Sequence, residues 1–131
     1  MRRLALITAL LAQPALADPP DPVAGMDTFR TYCAVCHGMH ATGGGPMSDA
    51  LTVRPPDLTR LSGDNGGVFP VLRVVRQIDG RDPMLAHGGE MPLFGEMFNY
   101  PDGAIASETG QPIVTAQPIA DVAAWLRSVQ K

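Results

Sequence analysis

Two cysteines in 131 residues are too few for a disulfide-rich scaffold or a four-cysteine zinc site. Lysine is almost missing, with Lys131 the only one. At a formal net charge of −3 the chain has no basis for general nucleic-acid binding. No apolar run approaches the ~20 residues of a membrane span. Aromatic side chains number only seven, which is little material for closing a core. Gly and Pro, by contrast, supply 27 residues, enough to make the chain loop-rich without marking it as disordered. The length allows one small domain.

Residues 1–17 read MRRLALITALLAQPALA. Arg2 and Arg3 form a charged start, residues 4–12 a short apolar stretch, and Ala15-Leu16-Ala17 a small-x-small cleavage site. This is the pattern of a secretory signal. The expectation is removal after Ala17, leaving 114 residues at net charge −5 in an extracytoplasmic space such as the bacterial periplasm. Residues 18–23 (DPPDPV) then read as a flexible lead-in to a single domain over 24–131.

Three helices are predicted. Residues 23–35 carry Phe29, Tyr32 and Cys33 at helical spacing. Residues 69–78 place Phe69, Leu72, Val75 and Ile78 on one face, with Pro70 in the first turn and Gly80 as the stop. Residues 119–129 bury Val122, Trp125, Leu126 and Val129. A short helical turn begins near residues 57–60. The long segments 38–56 and 82–117 show no regular element. Three helices and such loops close a core poorly from side chains alone, and a bulky apolar cofactor accounts for that composition.

Both cysteines lie in Cys33-Ala34-Val35-Cys36-His37. This C-x-x-C-H run is the attachment signature of c-type haem. Cysteines at i and i+3 share one face of a helical turn, so each sulfur can form a thioether with one haem vinyl group. His37, four residues from Cys33, lies on the same face and supplies the proximal nitrogen. A redox disulfide is the competing reading, but no alternating strand–helix pattern surrounds the motif. A zinc half-site finds no further cysteine. Gly43-Gly44-Gly45 lacks the Lys-Ser/Thr of a phosphate loop and reads as a turn near the haem.

The sixth iron position decides the chemistry. Met26, Met39 and His40 are badly placed, before or directly behind the attachment motif. Met91 sits in GGEMPLFG (residues 88–95), where a breaker-flanked loop can lay a thioether over the ring without straining a helix. Met91 is the favoured ligand, and Met97, Met84 and His87 stay open as alternatives.

With these residues the chain resembles the class I cytochromes c, small mono-haem proteins, over residues 24–130. Gly25, Phe29, Cys33, Cys36 and His37 match the family's first helix, Trp125 its C-terminal aromatic, and Met91-Pro92 with Phe94 its distal loop. The motif starts early in the processed chain, unlike that of the cytochromes c′, which lies near the C-terminus. The resemblance implies an all-α class I cytochrome c fold, about three main helices and long loops around one covalently bound haem c. It also implies that a proline carbonyl, Pro46 first and Pro55 second, accepts from the His37 ring. The lysine-ringed haem edge of mitochondrial-type carriers is absent here, so their partners do not carry over.

The implied function is one-electron transport, not catalysis, with His37 and Met91 as axial ligands and Arg54 and Arg60 as candidate partners of the haem propionates. The processed charge of −5 predicts redox partners with basic docking patches, no nucleic acid, and no membrane span. Two alternatives stand beside it. One is a cytochrome subunit of a periplasmic dehydrogenase or oxidase, supported by the long 95–117 segment. The other is a haem enzyme or gas sensor with an open sixth site.

Overall fold

The computed structural model describes residues 17–81, 91–98 and 101–131. Most of the signal segment lies outside these residues, as do Met84 and His87.

The chain enters α1 (Pro22–Tyr32) through a local cap. Asp21 accepts a hydrogen bond from the Val23 amide at 2.8 Å, and Pro22 occupies the first turn, where its missing N–H is harmless. The expected single helix over 23–35 is instead two. The Cys33 carbonyl accepts from both the Cys36 amide (3.1 Å) and the His37 amide (2.9 Å), which tightens the turn. Cys33 therefore joins α1 to the short α2 (Ala34–His37).

Helix α3 (Val71–Asp79) starts after Pro70, not at Phe69. Its buried stripe is Val71, Val74, Val75 and Ile78, a run of i, i+3, i+4 and i+7. The expectation that Leu72 belongs to this stripe is corrected, because Leu72 is exposed. Gly80 ends the helix in the left-handed conformation (φ 77°), its amide bonded to the Arg76 carbonyl at 2.9 Å.

A short α4 (Phe94–Met97) precedes a two-stranded hairpin, β1 (Gly103–Ala106) and β2 (Pro112–Thr115). The strands are antiparallel, with Gly103 opposite Thr115 and Ile105 opposite Ile113. This element corrects the reading of 82–117 as free of regular structure. Its turn is compact: Gly110 is left-handed (φ 81°) and donates to the Ser107 carbonyl at 3.0 Å.

Helix α5 (Gln117–Ser128) buries every residue from Ile119 to Leu126 and forms the centre of the molecule. Gly25 of α1 lies directly on the α5 backbone, so a Cβ there would overlap the Asp121 carbonyl oxygen. Just beyond this crossing Phe29 meets Trp125, ring centroids 4.5 Å apart and tilted by 45°. The buried Asp121 carboxylate accepts from the Asp21 amide and the Gln117 side chain, both at 2.8 Å. Gln130 closes the C-terminus, accepting from the Ser62 amide and donating to the Leu58 carbonyl, each at 2.8 Å.

The expected turn at 57–60 is a 3-10 turn, Leu58–Arg60, capped by Asp57, which accepts from the Thr59 amide (2.9 Å) and hydroxyl (2.6 Å). These bonds hold the Asp57 carboxyl below its ordinary value of 3.8. The ionised form is thus favoured in the folded chain. Its contribution is complete above the ordinary value and fades as pH falls through the lower folded one. Asp57→Ala should lower the denaturant midpoint at neutral pH, and the difference from the parent should vanish in strong acid. A difference that persists unchanged there would assign the effect to something other than this carboxylate.

Candidate functional site

The Cys33-to-His37 turn is held from behind by the glycine-rich segment that follows it. The last carbonyls of α2 have no helical partners. The 43–48 segment supplies them: Met47 donates to Val35 (2.9 Å), Gly45 to Cys36 (3.0 Å) and Gly43 to His37 (2.9 Å). The Ser48 hydroxyl adds a bond to the Cys36 carbonyl at 2.8 Å. This backing requires bare backbone, since a Cβ on Gly45 would stand 2.5 Å from the Ala34 and Val35 carbonyl oxygens. The glycines therefore serve to lock the attachment turn, in keeping with their reading as a turn beside it.

In front of that turn is a cavity of about 550 Å³, within the ordinary range for a cofactor site. Cys33, Cys36 and His37 form one wall. Val74, Gln77 and Ile78 of α3 contribute another, and Met91 with Pro92 a third. The lining is mainly apolar. Four of the five site residues named from sequence thus meet in one place.

Pro46 does not join them. It is exposed and is absent from the cavity wall, whereas Pro55 and Pro56 line it. Neither the Pro46 nor the Pro55 carbonyl is bonded to His37, whose buried Nδ1 has no hydrogen-bond partner. Arg54 lines the cavity, but Arg60 does not; it faces Asp64 instead, at 3.9 Å. Arg54 itself also pairs with Asp49, at 2.5 Å. Met97, an alternative ligand, is exposed on α4 and is not on the wall.

Two polar wall residues were not foreseen. Arg73 is exposed at the cavity margin, and Gln77 brings its side-chain amide to 4.0 Å from the Met91 sulfur. Their only sequence signal is the i, i+4 spacing on α3, which becomes informative once the packed face of that helix is known.

The electrostatics of the motif separate its readings. Burial pushes the Cys33 thiol up to about 11, with a smaller push from Cys36. Disulfide exchange needs the opposite, a thiol whose value is depressed. Burial also lowers the His37 value, keeping its imidazole neutral, the form that binds a metal. The orphaned Nδ1 leaves the His37 ring incompletely held by the residues around it, since a buried polar atom without a partner is costly. A flat apolar macrocycle that bonds two thiols and one imidazole fits this cavity.

Fold and site together define a haem-c protein: helices around an apolar cavity, with C-x-x-C-H on its wall. The model of the family described as "Cytochrome c" matches residues 22–130, and the chain belongs to that family. Haem c is its cofactor and electron transport by way of redox protein partners its role. No curated protein and no solved structure matches the chain. Among the described residues no helix is long and apolar enough to cross a membrane.

Proposed function

We propose that the chain is a one-electron carrier in which His37 and Met91 are the two axial ligands of a single haem c, bound through thioethers from Cys33 and Cys36. The observation that carries this reading is the meeting of Cys33, Cys36, His37 and Met91 on one apolar cavity. When bound, the haem iron supplies a ferric/ferrous couple. The chain's own residues keep that couple rigid and dry. Gly43, Gly45 and Ser48 fix the carbonyls of the attachment turn. Val74, Ile78 and Leu126 exclude water. Once haem is held, the His37 Nδ1–H, unpartnered here, would take a proline carbonyl as its acceptor, which orients the ring and strengthens its donation. Pro55, on the wall and packed against Gly43, suits this better than exposed Pro46. Arg54 and Arg73, both on the cavity wall, would supply the positive charge for the propionates.

The same reading makes residues 1–17 an export signal and the periplasm the site of action. At a net charge of −5 the processed chain suits partners with basic patches, met in brief, electrostatically steered contacts.

Absorption spectra of the haem-loaded protein test the proposal. The oxidised form is expected to show a sulfur-to-iron charge-transfer band, and the reduced form to ignore CO. Met91→Ala should abolish the band and admit CO. Rapid CO binding by the unaltered protein would sink the carrier reading in favour of an open-site sensor or enzyme. A band that survives Met91→Ala would move the ligand to another methionine.

A further inference from the structure

The corner at Asp79 and Gly80 anchors two parts of the molecule that are remote in sequence. From one side comes the hairpin. The Thr115 hydroxyl, fully buried at the end of β2, donates to Asp79 Oδ2 at 2.8 Å. Arg81 closes on the same carboxylate oxygen and also donates to the Val114 carbonyl at 3.1 Å. From the other side comes the segment that leaves Met91. Leu93 packs on Gly80, where a Cβ would stand 2.5 Å from its Cδ2. Gly95 lies so close to Asp79 that a Cβ would overlap both the side-chain and main-chain oxygens. At the opposite end of α3, Glu108 in the hairpin turn accepts from the Leu72 amide at 3.4 Å, an anion at a helix N-terminus. The hairpin therefore grips α3 at both ends. Between the grips Gln77 faces the Met91 sulfur.

We infer that the 103–115 hairpin is an internal brace for the distal ligand, and that Asp79 and Thr115 are positioning residues that hold Met91 in place through Leu93 and Gly95. The inference rests on Met91 being the sixth ligand. It gives the long 95–117 segment a task within the chain, where the alternative was a surface for a permanent partner. Displacement of Met91 requires the 91–95 segment to open locally. Such opening is governed by the contacts that seat the segment, separately from global unfolding. Loss of the Thr115 hydroxyl removes a bond that fixes Asp79, on which Gly95 of that segment rests, while keeping the side chain's volume and the strand's pairing. The ligand-free iron site then becomes more populated, and an external ligand binds it with higher apparent affinity in proportion.

The test is a titration of the oxidised, haem-loaded protein with imidazole, followed by the charge-transfer band. Thr115→Val should reach half-loss of the band at about tenfold less imidazole than the parent. Arg81→Gln, a substitution at an exposed side chain, should shift it several-fold in the same direction and guards against misfolding of the first variant. Ile119→Val, which weakens the buried α5 packing without removing any bond to the Asp79 carboxylate, should lower the denaturant midpoint and leave the imidazole midpoint unmoved. If Thr115→Val and Arg81→Gln titrate as the parent does, or if Ile119→Val shifts as far as they do, the brace is overturned with Met91 intact as ligand. If the parent lacks the band, the ligand assignment itself has failed and the brace falls with it.

Discussion

Chain prepared without haem is expected to have no fixed tertiary structure. Far-ultraviolet circular dichroism should show most of the helical signal gone, and heating should give no cooperative transition. The reason is the cavity. Phe29, Leu58, Leu61, Val74, Ile78 and Leu126 all turn apolar surface into a space of about 550 Å³. At ~24 cal/mol for each Å³ of unfilled volume the cost is roughly 13 kcal/mol. Partial hydration through the open side reduces this, but the total stability of a domain is only about 5–15 kcal/mol. The helices do not compensate. Helix α2 has four residues and α3 has nine, and isolated helices below ~12–15 residues are marginal in water. Cys33→Ala with Cys36→Ala should accordingly yield a protein whose haem is removed by acid–acetone extraction and which loses its fold as the haem leaves. A haem-free chain that melts cooperatively with native helicity would refute the account and make the cavity incidental.

What could be read from the sequence was what is local. The C-x-x-C-H run needs only one turn of helix to place its three side chains, so it was complete in the residues themselves. Helix α5 was legible because Pro118 marks its start and its apolar content its centre. Met91, which lies on the cavity wall, is singled out in the sequence by the Gly and Pro residues flanking it. The misreadings arise where geometry depends on distant partners. Leu72 and Val71 are both apolar, and what settles which is buried is the face that α3 turns to α5. The hairpin escaped notice because each strand has four residues, too few to display alternation, and its stability comes from Thr115 reaching Asp79, 36 positions away. Pro46 and Pro55 differ in sequence only by position; the fold exposes the first and sets the second on the cavity wall. Gln77 and Arg73 are ordinary helix residues until the packing of α3 turns them toward Met91 and the cavity margin.

Gly25→Ala is expected to be the most destructive single methyl group that can be added to α1. The α1–α5 crossing brings the Gly25 Cα so near the next helix that a Cβ would collide with the Asp121 carbonyl, carbon and oxygen, and lie 2.8 Å from the Val122 nitrogen. These are main-chain atoms of a helix buried over eight successive residues, so no side-chain rotation relieves the clash. The helices must separate. Separation parts Phe29 from Trp125 and loosens the Asp21–Asp121 bond, both of which depend on the same crossing. Overpacking costs typically 1–3 kcal/mol where a core can yield, and here the loss should be about 3 kcal/mol or more. Alanine's better helix propensity, worth up to ~1 kcal/mol over glycine, works in the opposite direction and is too small to rescue the variant. Gly63→Ala provides the contrast, since a Cβ at that position meets nothing within 4 Å; its denaturant midpoint should equal or exceed the parent's. The consequence reaches the haem, because Phe29 stands between Trp125 and His37, its ring centroid 6.3 Å from the imidazole. Gly25→Ala should therefore lower both the yield of haem-loaded protein and the unfolding midpoint of what is recovered. Equal midpoints for the two glycine variants would mean that the crossing has slack the structure does not show.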